Sequence, residues 1–360
     1  MDLNVKLPSY VKVAMLLIGL YLVVNILSII RPIILPVIYA VLISVLVAPA
    51  VHFLVRKKVN RTFSVTVVFL VTILLVGGLL FWISLQLNKF GESWPQLTNK
   101  FQQLTHDSVK WTSGYFSIST RDINAWISDG KSDLIDNSGA AIGTTIVTMG
   151  GILAVVLLTP VYTFMILNYE PHLVEFIHRL FGIIHNKNVS EILMEVKSII
   201  RRYLVGLSAE FIIIVVLNAL GLFILGIDYP ILLGIIGALL NIIPYIGGLI
   251  GVAIFMLVAF ATKSPIYVVY VVGLYALIQF IDNNYIIPKI IGGQVKLNPL
   301  ICIIAVIVGA ALWGIPGMFL SIPFAAILKL TFDRIDSLRP WGFLMGDTTP
   351  LPPDAVAKKE

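Results

Sequence analysis

The stretch from Pro230 to Phe260 reads PILLGIIGALLNIIPYIGGLIGVAIFMLVAF, an apolar run interrupted at Asn241-Ile-Ile-Pro244-Tyr-Ile-Gly247-Gly248. A second run, Asn298 to Leu330, reads NPLICIIAVIVGAALWGIPGMFLSIPFAAILKL and breaks at Trp313-Gly-Ile-Pro316-Gly317. Proline removes a backbone donor and glycine loosens the chain, so each run predicts two half-helices joined by a turn. In a membrane, a broken helix leaves backbone groups unpaired, which only protein or a water-filled cavity can surround. Such breaks commonly mark the substrate site of secondary transporters.

The membrane setting follows from composition. The chain is 58% hydrophobic and 12% charged, with a mean hydropathy of +0.97, which excludes an ordinary soluble domain. Several apolar stretches exceed the roughly 18 to 20 residues that cross a bilayer. The net charge of +6 lies in short loops beside these stretches, so it reads as topology rather than nucleic-acid binding. The lone cysteine, Cys302, excludes an internal disulfide and a thiolate metal cluster.

The expected fold is an all-α polytopic membrane protein with about six full transmembrane helices and two re-entrant helical hairpins. After a tail over residues 1–10, three spans occupy 11–87; the first is read as a retained helix, not a signal peptide. Arg31-Pro32 turns the chain between the first two, and Pro49 is an expected kink in the second. Arg56, Lys57, Lys58 and Arg61 put the following loop, and with it the N-terminus, in the cytoplasm. Residues 88–138 read as an extracytoplasmic pair of amphipathic helices, with Trp94, Trp111 and Trp126 at headgroup level. A span in 139–167 is followed by cytoplasmic amphipathic helices over 168–203. His172, His178 and His185 there lack a zinc spacing. A transport core covers 204–336, and the tail 337–360 ends in a disordered, Pro- and Ala-rich segment.

Charge parity arranges the broken stretches. Lys289 and Lys296 end the helix at about 266–287 inside, as Lys329, Arg334 and Arg339 do for the C-terminus. Pro230–Phe260 then dips in from outside and Asn298–Leu330 from inside, each arm being about 13 to 16 residues and too short to span upright. Seven or eight tilted spans is the competing reading. The likeness of the two stretches suggests an inverted repeat, with the site where their tips approach each other.

The residues singled out as substrate- or ion-binding are Asn241, Pro244 and Gly247 at the first tip, Gln279, Asp282 and Asn284 in the central helix, and Gly314, Pro316 and Gly317 at the second tip. A carboxylate costs a few kcal/mol in lipid, so Asp282 should face protein or water, either as a coordinating group or as part of a cluster at the helix terminus. Glu210 is a candidate additional charge; the alternative is a carboxylate reaching the interface toward Arg201 or Arg202. Asn218 is polar glue or cavity lining.

Asn241-Ile-Ile-Pro244-Tyr-Ile-Gly247, Gln279-Phe-Ile-Asp282-Asn-Asn284 through Pro288 and Gly292, and Leu297-Asn298-Pro299 with Gly314-Ile-Pro316-Gly317 and Ile322-Pro323 together resemble the autoinducer-2 exporter family of permeases. Pro36, Pro49 with Arg56, and Thr159 to Leu167 carry the resemblance toward the front of the chain. It implies a homo-oligomeric transporter of the bacterial inner membrane, with a pentamer as one option, moving a solute by an elevator-like or gated displacement; the charge pattern above puts both termini in the cytoplasm. Some members are associated with export of a small polar signalling molecule, others with sodium or lithium extrusion against protons. A common family version has Glu where this chain has Asp282, the same charge with one methylene more reach.

The leading expectation is therefore a secondary transporter exporting a small polar solute, with sodium (lithium)/proton antiport as the alternative. A channel or structural membrane protein is a further reading. The partners are the bilayer and a polar solute or monovalent cation, with no nucleic acid. No cofactor or resident metal is expected, only a transported Na+ or H+. No phosphate-cradling loop, no GxSxG and no HExxH occurs, so neither ATP-driven transport nor an intramembrane enzyme is expected.

Overall fold

A computed structural model describes residues 8–116, 155–180, 186–243, 246–292 and 297–347. Those residues form eleven α-helices and no sheet: α1 (Ser9–Ile29), α2 (Arg31–Arg56), α3 (Arg61–Phe116), α4 (residues 155–180), α5 (Asn186–Ile224), α6 (Pro230–Asn241), α7 (Ile246–Thr262), α8 (Ile266–Ile281), α9 (Pro299–Trp313), α10 (Ile315–Arg334) and α11 (Arg339–Met345). Two π-helical turns, Asp282–Ile286 and Pro288–Gly292, continue α8. Among the described residues, six helical segments are long and apolar enough to cross a membrane: Tyr10–Ile29, Arg31–Arg56, Arg61–Asn88, Val189–Ile224, Ile266–Ile290 and Ile315–Arg334. The protein is thus an all-α polytopic membrane protein.

Three elements differ from expectation. The helix that carries the third span continues past it: the apolar segment Arg61–Asn88 belongs to α3, one helix of 56 residues. Residues 186–203 of the amphipathic run likewise join the fifth span in one helix, α5, of 39 residues. A change from apolar to polar composition alters what surrounds a helix, and it need not end the helix. The second broken stretch has arms of 15 and 20 residues, so its second arm reaches spanning length. Pro323 sits inside α10 without ending it. The first stretch has arms of 12 and 17 residues. Residues 140–154 of the expected fourth span, the amphipathic element around Trp126, Pro244, His185 and the tail beyond Asp347 lie outside the described residues.

The short loops follow local chemistry. Ile30 alone separates α1 from α2, because its N–H still bonds the Ile26 carbonyl while Pro32 sits in the first turn of the next helix. The basic loop closes with Lys58 in the left-handed region, at φ 66°. The Asn60 side chain then accepts the Thr62 N–H at 2.9 Å, capping α3.

The chain divides into two compact units, residues 1–44, 154–196 and 297–360 in one, and 45–153 and 197–296 in the other. In the first unit α9 and α10 form a hairpin about Gly314, at φ +66°, a conformation favouring glycine. Its arms touch through glycines: a Cβ on Gly317 would overlap the Gly309 carbonyl, and one on Gly309 would overlap the Gly317 carbonyl. The Trp313 indole N–H beside the turn donates to the Leu27 carbonyl of α1 at 3.1 Å. Asn298 begins α9, accepting the Ile301 N–H at 2.9 Å and donating to the Leu344 carbonyl at 2.6 Å, which ties α11 to the hairpin's entry.

In the second unit α6 and α7 form the other hairpin. Its core holds Leu222, Leu233, Phe255, Val258, Ala259 and Val271, with Phe90 of α3 packed against it. A Cβ on Gly247 would overlap the Leu240 carbonyl, so the turn after Asn241 also requires glycine.

Three outcomes follow. Gly317→Val should lower the unfolding temperature of the purified protein in detergent, an overpacking cost of about 1–3 kcal/mol or more. Gly77→Ala, where nothing lies within 4 Å of the added methyl, should be tolerated in the same assay. Asn298→Ala should lose about 1 kcal/mol of capping and expose residues 339–347 to faster limited proteolysis.

Candidate functional site

The site is built in the second unit where α6 ends. Asn241 is the last residue of α6, and Asp282 lies where α8 changes to π-helix. Single π-turns of this kind recur at functional sites, because the widened turn redirects a side chain. The Asn241 amide nitrogen donates to Asp282 Oδ2 at 3.0 Å and reaches Glu210 Oε1 of α5 at 3.5 Å. Asp282 is 0% exposed and Glu210 7%. Asp282 Oδ1 is buried and has no hydrogen-bond partner among the described residues. Two carboxyl groups thus share one neutral amide in the interior of a membrane protein, an arrangement that would be costly if both were charged and nothing else entered.

Beside Asn241 lies a narrow cleft whose lining combines the polar Asn218, Asn241, Tyr275 and Gln279 with apolar residues such as Phe255 and Ile278. Its volume is ≈ 10 Å³, on the order of what one water molecule needs. The break between α6 and α7 turns the negative end of one helix and the positive end of the next toward the same place. Helix ends alone therefore do not select the sign of a guest, whereas the two carboxyls favour a cation or a proton.

The expected site residues divide accordingly. Asn241 and Asp282 meet, with Glu210 beside them, and Gln279 lines the adjoining cleft. Glu210 makes its contact with Asn241, on the side of the hairpin. Asn218 is cleft lining. Asn284 is exposed, its amide donating to the Phe280 carbonyl at 2.8 Å. Gly247 lies in the turn against Leu240. Gly314, Pro316 and Gly317 belong to the hairpin of the other unit, where Gly314 and Gly317 serve the turn and the contact of its arms. Tyr275 and Gly248 were not singled out from sequence. Tyr275, Gln279 and Asp282 stand at i, i+4 and i+7, one helical face, and that spacing was the available signal. Among the described residues no group of three or more His, Cys, Asp or Glu side chains could hold a metal.

A polytopic helical protein with one helix pair broken at a buried polar cluster has the features of a membrane transport protein. The chain belongs to the AI-2E transporter family, whose model matches residues 10–337. It is similar to the candidate transport protein YueF of Bacillus subtilis (strain 168), 25% identical over 298 residues, covering 78% of this chain and 79% of the relative. It is 32% identical to the candidate transport protein YrrI of the same organism over 144 residues, 40% of each chain. The candidate permease PerM of Escherichia coli (strain K12) is 23% identical over 217 residues, covering 58% of this chain and 60% of PerM.

If Asn241 compensates the buried carboxyls, Asn241→Leu should destabilise the protein by about 1–3 kcal/mol, because both acceptors lose their donor. The double variant Asn241→Leu/Asp282→Leu should be more stable than Asn241→Leu alone, since it removes one of the two carboxyls left without a donor. Thermal unfolding of the four-member cycle measures this.

Proposed function

We propose that this transporter is a secondary antiporter exchanging a monovalent cation, sodium or lithium, for protons at the Asp282–Asn241–Glu210 cluster and the cleft beside it. The observation that carries the reading is the fully buried Asp282, with one oxygen on Asn241 and the other unpartnered among the described residues, within reach of a second buried carboxyl. A carboxyl in that position is stable as an acid, or as a carboxylate beside a cation, and alternates between the two as solute and proton exchange. The size of the cleft favours an ion over a sugar-like solute, since pockets for small organic molecules are about 300–1,000 Å³. Export of a small polar signalling molecule is the second reading; it is supported by the family's name and by the neutral amides and hydroxyl that line the cleft.

The same reading takes residues 204–336 as the transport core, in a homo-oligomer of the bacterial inner membrane with cytoplasmic termini. The bacterial relatives and the Lys/Arg-rich loop at 56–61 support it. The test is transport by purified protein in sealed liposomes with an imposed sodium or lithium gradient and an internal pH reporter. Cation-dependent proton movement is expected, falling to the protein-free background in Asp282→Asn. Undiminished exchange in Asp282→Asn removes Asp282 from the site. A silent reporter in wild-type vesicles favours the neutral solute.

A further inference from the structure

The Asn241 amide has two ends, and each faces a different chemistry. Its nitrogen is directed at Asp282 and Glu210. Its Oδ1 turns the other way, toward Gly248, where an added Cβ would lie 3.5 Å from it and would also crowd the Tyr275 hydroxyl. This orientation is the one electrostatics requires, because an amide oxygen turned toward two carboxyl oxygens would repel them. Asn241 and Gly248 both line the cleft, together with Asn218, Tyr275 and Gln279; Asp282 and Glu210 are not among the lining residues. The cleft and the carboxyl pair are neighbours that share one side chain.

We infer that the cation and the proton occupy separate sites coupled through Asn241: the cation in the cleft on neutral oxygens including Asn241 Oδ1, the proton on the Asp282–Glu210 pair. The inference rests on the antiport reading and adds its coupling step. A cation drawing on Oδ1 polarises the amide and strengthens its N–H donors. Stronger donors favour the ionised carboxyl, so a bound cation expels a proton. By linkage, a proton on the pair weakens cation binding to the same degree. The titratable groups in electrostatic contact with Asp282 are Glu210 from α5 and Tyr275 from α8, while α6 contributes the uncharged Asn241. Asn241 is thus a positioning and coupling residue, and its amide, not its bulk, is what matters.

The test uses the purified full chain in weakly buffered detergent with a pH dye. Lithium or sodium chloride is added, with N-methylglucamine chloride as the ionic-strength control, and cation binding is measured in parallel by calorimetry. Wild-type protein should release protons in proportion to the cation bound. Asn241→Ala, which also removes one cleft oxygen, should bind cation more weakly; at saturating cation its protons released per cation bound should fall toward zero, and Asn241→Gln should restore part of the ratio. Gly248→Ala, which narrows the cleft without touching either carboxyl, should raise the cation concentration for half-release and leave the protons released at saturation unchanged. An unchanged ratio in Asn241→Ala, or a reduced saturating release in Gly248→Ala, overturns the two-site coupling while leaving antiport standing. Absence of any cation response in the wild type overturns both readings together.

Discussion

A single hydrogen bond, from the Asn241 amide to the Asp282 carboxyl, joins the break in one helix to the π-turn in another. Most of what is unusual in the second unit follows from the need to hold that carboxyl away from water. Burying an uncompensated charge in a membrane costs several kcal/mol. The donor here is a neutral side chain on the last residue of α6. The α6–α7 hairpin exists in that position because Asn241 ends α6 and Gly247 lets the next turn close against the Leu240 carbonyl.

Close backbone approach is the means by which both hairpins are held. In a bilayer there is little hydrophobic force between helices, and association depends on packing and hydrogen bonds. Gly309 and Gly317 meet carbonyl against Cα, and Gly251 lies against the Cα of Gly237 in the other hairpin. The glycines at these contacts are therefore part of the architecture, and their role differs from that of the amides and carboxyls. A break in a helix and a ligand for an ion can stand one residue apart and have different physical reasons to be there.

α3 and α5 each join an apolar segment to a polar one without a break. α5 carries both Glu210 and Asn218 within that one helix.

The sequence by itself determined the membrane setting, the all-α class, the two broken stretches and the family. These rest on apolar length, on proline and glycine at a few positions, and on motifs readable in order along the chain. It also marked Asn241 and Asp282, since a carboxyl within an apolar run has few harmless explanations. It did not determine which polar residues meet. Asn284, two residues from Asp282, lies exposed, whereas Glu210, 72 residues before it, reaches the same amide. Nor did it place Tyr275 and Gly248 in one cleft, or show that α10 continues to spanning length. Those outcomes depend on the rotation of each helix about its axis and on the widened turn after α8. Both are set by packing between segments distant in the chain, so only the tertiary structure decided them.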